Sequence, residues 1–116
     1  MILETEIDGL LYSLDTDEQE ATVIKCVDKG REGEVIIPAS FFYQGIVYRM
    51  TRIGRDAFSG CTSLAAINIP EGVTSIGSTA FAYCSGLTSV TIPNSVTSIG
   101  TYAFLWLHRA YKRCNT

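Results

Sequence analysis

Charge is scarce over the half of this chain that carries its pattern. Between Ala57 and Leu107 the only charged residue is Glu71, while eleven of the twelve acidic residues lie in 1–56. Charged residues make up 18% of the whole, against roughly 25% in an average soluble domain. A surface so neutral has no field to steer a charged partner. The formal net charge is -3, and the late cations are only Arg109, Lys112 and Arg113. Nucleic acid needs a basic face interleaved with aromatics, so it is not an expected partner. Histidine is nearly missing as well, with His108 alone. No base stands beside a nucleophile and no two carboxylates are paired, so no catalytic residue is expected. The four cysteines form no Cys-x-x-Cys, which excludes a zinc cluster and reads poorly as a disulfide scaffold. No metal and no cofactor are expected. No apolar run reaches 18 residues, which argues against a membrane span. The N-terminus lacks the basic-then-apolar order of a secretory signal. The expectation is a chain that stays inside, or a mature domain from which a leader was removed.

What is present is repetition. Ile53-Gly54-Arg55-Asp56-Ala57-Phe58-Ser59-Gly60-Cys61 returns as Ile76-Gly77-Ser78-Thr79-Ala80-Phe81-Ala82-Tyr83-Cys84, and again as Ile99-Gly100-Thr101-Tyr102-Ala103-Phe104, with a spacing of 23 residues. Leu64, Ile67, Ile69, Pro70 and Val73 recur as Leu87, Val90, Ile92, Pro93 and Val96. A period of this size marks a solenoid, in which each unit buries its apolar face against its neighbours. Within a unit, Leu87 to Pro93 reads as a strand. Val90 and Ile92 point inward and Ser89 and Thr91 outward, as period-2 geometry requires. Pro93 cannot donate to a ladder and ends it. Val96 to Ile99 is a second short extended run, and Gly77 and Gly100 permit the corner that follows. Ala80 to Cys84 is too short for a stable helix and reads as a 3₁₀-like turn that plants Phe81 between Phe58 and Phe104. Cys61 and Cys84 share a repeat position and are expected to be small buried thiols stacked one coil above the other. Coils about 4.8 Å apart would sterically permit their oxidation.

The flanks depart from the pattern. Residues 1–8 read as loose or as an edge strand. Gly9 to Leu14 and Ala21 to Val27 read as an antiparallel hairpin, and 28–34 as a turn. Glu34-Val35-Ile36-Ile37-Pro38 resembles the later Ile67-Asn68-Ile69-Pro70, but Pro38 to Pro70 is 32 residues, nine more than a repeat. The surplus carries Phe41, Phe42, Tyr43, Tyr48 and Met50, an aromatic cluster expected to cover the open face of the first coil. After Phe104 the pattern breaks. Phe104, Leu107, Tyr111 and Cys114 share one helical face, which predicts an amphipathic helical cap. An alternative is that Leu105, Trp106 and Tyr111 leave an exposed patch that pairs two molecules end to end. The expected organisation is one domain over 1–116: an N-terminal cap hairpin (1–34), an atypical first coil with its insertion (35–52), repeats (53–104) and a C-terminal cap (105–116).

The run Leu-Thr-Ser-Val-Thr-Ile-Pro-Asn-Ser-Val-Thr-Ser-Ile-Gly-Thr-Tyr-Ala-Phe at 87–104 resembles the BspA-like leucine-rich repeats of bacterial surface proteins, and 64–84 matches the same pattern nearly position by position. Residues 35–52 look like the first coil of gut-Bacteroidales members. The resemblance implies a mostly β, short right-handed leucine-rich-repeat solenoid whose Leu64 and Leu87 strands line the concave face. It also implies an extracellular or cell-surface location. The chain departs from the family in its repeat number and in carrying Leu107 where a repeat cysteine would stand. The expected function is a non-catalytic module that recognises protein or glycan through the polar outer face formed by Ala66, Asn68, Ser89 and Thr91. The alternative is a structural or self-assembly domain that pairs through the coil end around Trp106, giving a monomer or a weak end-to-end dimer.

Overall fold

A computed structural model describes residues 1–105 and the strand at 112–113. Among the described residues eleven strands follow one another: β1 (Ile2–Ile7), β2 (Leu10–Asp15), β3 (Glu20–Cys26), β4 (Gly33–Ile36), β5 (Ser40–Tyr43), β6 (Ile46–Ile53), β7 (Leu64–Asn68), β8 (Ser75–Ile76), β9 (Ser89–Ile92), β10 (Ser98–Ile99) and β11 (Lys112–Arg113). They form two sheets. Sheet A runs β1-β2-β3-β6-β8-β10 with β5 added beside β6, and sheet B runs β11-β9-β7-β4. From β3 onward, apart from the β5–β6 hairpin within sheet A, the chain alternates between them, so β3–β4, β6–β7, β8–β9 and β10–β11 are successive coils. Their ladders are parallel within each sheet.

The core lies between the sheets because the strands alternate. Val35, Ile67 and Val90 face inward from sheet B, and Val23, Ile53 and Ile76 from sheet A, all buried. Between them the chain turns through successive i+3 to i hydrogen bonds, Ala80 to Gly77, Ala82 to Thr79 and Cys84 to Phe81. Those turns seat Phe58 and Phe81 with no exposure at all. The rings of Phe58, Phe81 and Phe104 stack at 5.3 and 5.5 Å, 8° from parallel. The column read from the sequence is therefore present. Gly77 and Gly100 lie where coil backbones nearly touch. A Cβ on Gly77 would come within 2.6 Å of the Arg55 nitrogen, and one on Gly100 within 2.4 Å of that of Ser78. Threonines stitch the coils outside: Thr74 donates its hydroxyl to the Thr51 carbonyl and Thr97 to that of Thr74.

Several expectations change. The hairpin read at 9–27 exists over 10–26, but β3 also pairs in parallel with β6 and so opens the first coil. Residues 2–7 are a full edge strand, antiparallel to β2. The aromatic cluster is only partly core. Tyr48 and Met50 are buried, and Phe41 and Tyr43 pack against the core, but Phe42 is 70% exposed. Strand alternation in β5 forces this, because Phe41 and Phe42 cannot share a face. The helical cap is not supported. Leu105 lies in a turn, its amide bonded to the Tyr102 carbonyl, and β11 pairs with β9, Lys112 opposite Thr91. A strand edge offering a ready ladder outcompetes so short a helix. The rest of that segment, including Trp106, Tyr111 and Cys114, lies outside the described residues.

Candidate binding surface

The four residues singled out on sheet B meet as a patch. Ala66 and Asn68 stand on β7, Ser89 and Thr91 on β9, and the register sets Ala66 beside Ser89 and Asn68 beside Thr91. Ser89 is exposed and the other three are half-buried. Their inward neighbours Ile67 and Val90 are core, so period-2 geometry leaves these side chains facing out. The patch is wider than the sequence reading made it. Glu34 pairs with Ala66 and Ile36 with Asn68, which gives the rows Glu34–Ala66–Ser89 and Ile36–Asn68–Thr91. Ile36, 68% exposed, was hidden in the apolar run Val35-Ile36-Ile37, although its alternation with buried Val35 and Ile37 marks it as outward. The face is a hydroxyl and amide surface with an isoleucine and one carboxylate at its β4 margin. It can hold a partner by hydrogen bonds and contact area, and among the described residues it carries no nucleophile beside a base.

The shifted titrations all sit in the core, away from this face. Burial pushes the Tyr12 phenol up to about 12, with nearby Arg31 opposing and Asp8 adding to the rise. Cys61 is also pushed up to about 12, by burial and then by its neighbour Cys26, with Lys29 opposing. Burial raises Cys84 as well, and its thiol donates to the Phe58 carbonyl at 2.9 Å. Cys26 thus joins the thiol group from outside the repeat, an addition the 23-residue spacing gave no means of finding. All three are free thiols. Among the described residues no cluster of three metal-ligating side chains occurs, and no helix is long and apolar enough to cross a membrane. Of the self-association residues only Leu105 is described, half-buried. Nearby Tyr102, 63% exposed, and Ile99, 38% exposed, add apolar surface at that coil end.

Residues 39–111 match the family model described as "BspA type Leucine rich repeat region (6 copies)". The chain belongs to the BspA-type leucine-rich repeat family. Among solved structures it is similar to a leucine rich cell surface protein from Faecalibacterium prausnitzii A2-165, with 28% identity and a TM-score of 0.81 over 97% of this chain and 30% of that one. It is also similar to a leucine-rich repeat protein from Bacteroides ovatus ATCC 8483, with 27% identity and a TM-score of 0.75 over 93% of this chain and 34% of that one. The chain thus spans about a third of the length of these two neighbours. A leucine-rich repeat protein from Bacteroides capillosus ATCC 29799, 22% identical with a TM-score of 0.69, shares the fold over 97% of this chain and 99% of its own. No curated protein matches the chain. The family match indicates no catalytic family.

Proposed function

We propose that this chain is a non-catalytic binding module that recognises protein or glycan through the outer face of sheet B, centred on Ala66, Asn68, Ser89 and Thr91 and widened by Glu34 and Ile36. The register that lines these side chains into two adjacent rows supports this reading. Residues with no packing duty in the core are held there in a fixed array by a rigid ladder. A location at the cell surface is part of the proposal, by analogy with the Faecalibacterium protein described as a cell surface protein. The test is a glycan microarray together with a panel of immobilised extracellular-matrix proteins, read with the wild type and with Asn68→Arg and Thr91→Arg. Binding that drops at least about tenfold in both variants, with melting unchanged, supports the face. A bound partner that both variants retain at full affinity overturns it.

A second reading, pairing through the coil end around Leu105, Trp106 and Tyr111, is favoured by the exposure of Tyr102 and Ile99 beside Leu105. Sedimentation velocity at rising concentration separates the two. A dimer that Trp106→Ala or Tyr102→Ser abolishes supports end-to-end assembly, and a monomer at every concentration removes it.

A further inference from the structure

We infer that the free edge of β5 is a docking site for an extended segment of another protein chain, which adds to sheet A as one more strand. The argument starts from the hairpin. Gln44 and Gly45, with φ of 49° and 84°, form a two-residue turn of the primed type between Tyr43 and Ile46, paired across it. In such a hairpin the flanking pair exchanges hydrogen bonds, and bonded and non-bonded pairs then alternate. Tyr43 with Ile46, Phe41 with Tyr48 and Ala39 with Met50 are therefore the bonded pairs. The Met50 amide indeed donates to the Ala39 carbonyl at 2.8 Å, while the Arg49 amide turns the other way to Gln19 of the neighbouring chain segment at 3.0 Å. It follows that the amides and carbonyls of Ser40 and Phe42 point away from β6. β5 has no strand partner other than β6 among the described residues. Ser40 and Phe42 are both exposed.

An exposed edge is ordinarily guarded by charge, because unpaired backbone groups template pairing with another chain. The other edges of four or more residues here obey that rule: β1 carries outward Glu4 and Glu6, and β4 carries outward Glu34. β5, Ser-Phe-Phe-Tyr, has no charge at all. Its outward aromatic, Phe42, lies across from exposed Val47. Two residues with free donors and acceptors at strand spacing fit an extended backbone, the recognition mode in which main-chain bonds supply affinity and alternate side chains supply choice. The outward residue of the added strand in the Phe42 row would be apolar. The one in the Ser40 row, which Arg49 shares, would be polar or acidic. A second copy could pair in the same way, but four residues per copy fall well short of the roughly 800 Å² per partner of a stable interface, so a foreign segment is the occupant proposed.

The test is an NMR titration of the ¹⁵N-labelled protein with the peptide acetyl-Glu-Thr-Val-Thr-Val-Thr-amide, and with the same peptide N-methylated at alternate residues. Expected is weak binding, roughly millimolar, with amide shifts gathered at Ser40, Phe42 and their neighbours. N-methylation should abolish it. Phe42→Pro removes the outward donor without touching a bond to β6 and should weaken binding about tenfold, the effect of one lost hydrogen bond, whereas Phe42→Thr keeps the amide and should lose less. Shifts elsewhere, no shift at any peptide concentration, or binding that survives N-methylation would overturn the proposal. So would a concentration-dependent dimer whose contact maps to 40–43, which would assign the edge to a second copy.

Discussion

Truncating Phe81 to alanine tests whether the phenylalanine column is the mechanical centre of the fold. Phe81 has no exposure and is stacked on both sides, by Phe58 at 5.3 Å and Phe104 at 5.5 Å. Phe→Ala at a fully buried site costs about 3–5 kcal/mol, and offset or stacked aromatic pairs bring about 0.5–1.5 kcal/mol each beyond their area. The upper part of the range is expected here, because two pairs are lost. A cavity between two coils cannot collapse either, since backbone bonds from Phe58 to Ala80 and from Phe81 to Ala103 hold the coils at fixed separation. Against a total of about 5–15 kcal/mol for a domain, the variant keeps only a narrow margin. Its melting point should fall by roughly 15–40 °C, at about 4–8 °C per kcal/mol for a chain near this size. Phe104, stacked on Phe81 but only half-buried, should cost less, because less of its ring leaves water on folding. Phe81→Leu keeps most of the volume but loses both ring pairs, so it should cost about 1–3 kcal/mol, less than the alanine variant. Urea unfolding followed by far-ultraviolet circular dichroism reads all three. A loss below about 1.5 kcal/mol for Phe81→Ala, or equal losses at positions 81 and 104, would refute the column as the determinant of stability.

Gly77→Ala should destabilise by about 1–3 kcal/mol in the same urea assay, because its Cβ would press on the backbone of the preceding coil rather than on a side chain that can move; a neutral result would mean that the coils can separate. Thr79, a β-branched residue held at φ 55°, should tolerate asparagine with a gain approaching 1 kcal/mol, less whatever its hydroxyl contributes by donating to the Asp56 carboxylate; calorimetry showing a large loss would place that hydrogen bond above the backbone cost. Alkaline pH should unfold the domain. Cys61 and Tyr12 hold their protons to about 12 when folded but release them from about 9 and 10 in the open chain. The folded state therefore binds more protons across that window, and stability falls as pH rises through it. Urea midpoints should decline above pH 9, and Cys61→Ala should flatten the early part of the decline. A midpoint constant from pH 8 to 11 would contradict the burial of these groups.

The parts of this molecule that read correctly from the sequence are those where one residue type has one physical use. A phenylalanine, a glycine and a proline returning at fixed offsets leave few alternatives: a ring must be buried, a corner must be narrow, and a ladder must stop. The outward residues of β7 and β9 followed from alternation alone. Failures arose where two neighbours looked chemically alike but faced opposite ways. Phe41 and Phe42 read as one cluster, and Ile36, between apolar Val35 and Ile37, was not counted with the outward face although its segment resembles Ile67-Asn68-Ile69, yet Phe42 and Ile36 both present a large side chain to solvent. Alternation applied there as strictly as in the repeats would have exposed both Phe42 and Ile36. The C-terminal segment failed for a different reason. Its helical periodicity was real, but propensity in nine residues is weak beside an adjacent strand edge, and Lys112 and Arg113 pair with β9. The same competition bears on the two candidate surfaces. A flat polar face such as that of sheet B binds only a partner whose chemistry fits it. An unguarded edge such as β5 accepts extended backbone whatever its sequence, so Phe42 and its row must supply whatever selectivity that edge has.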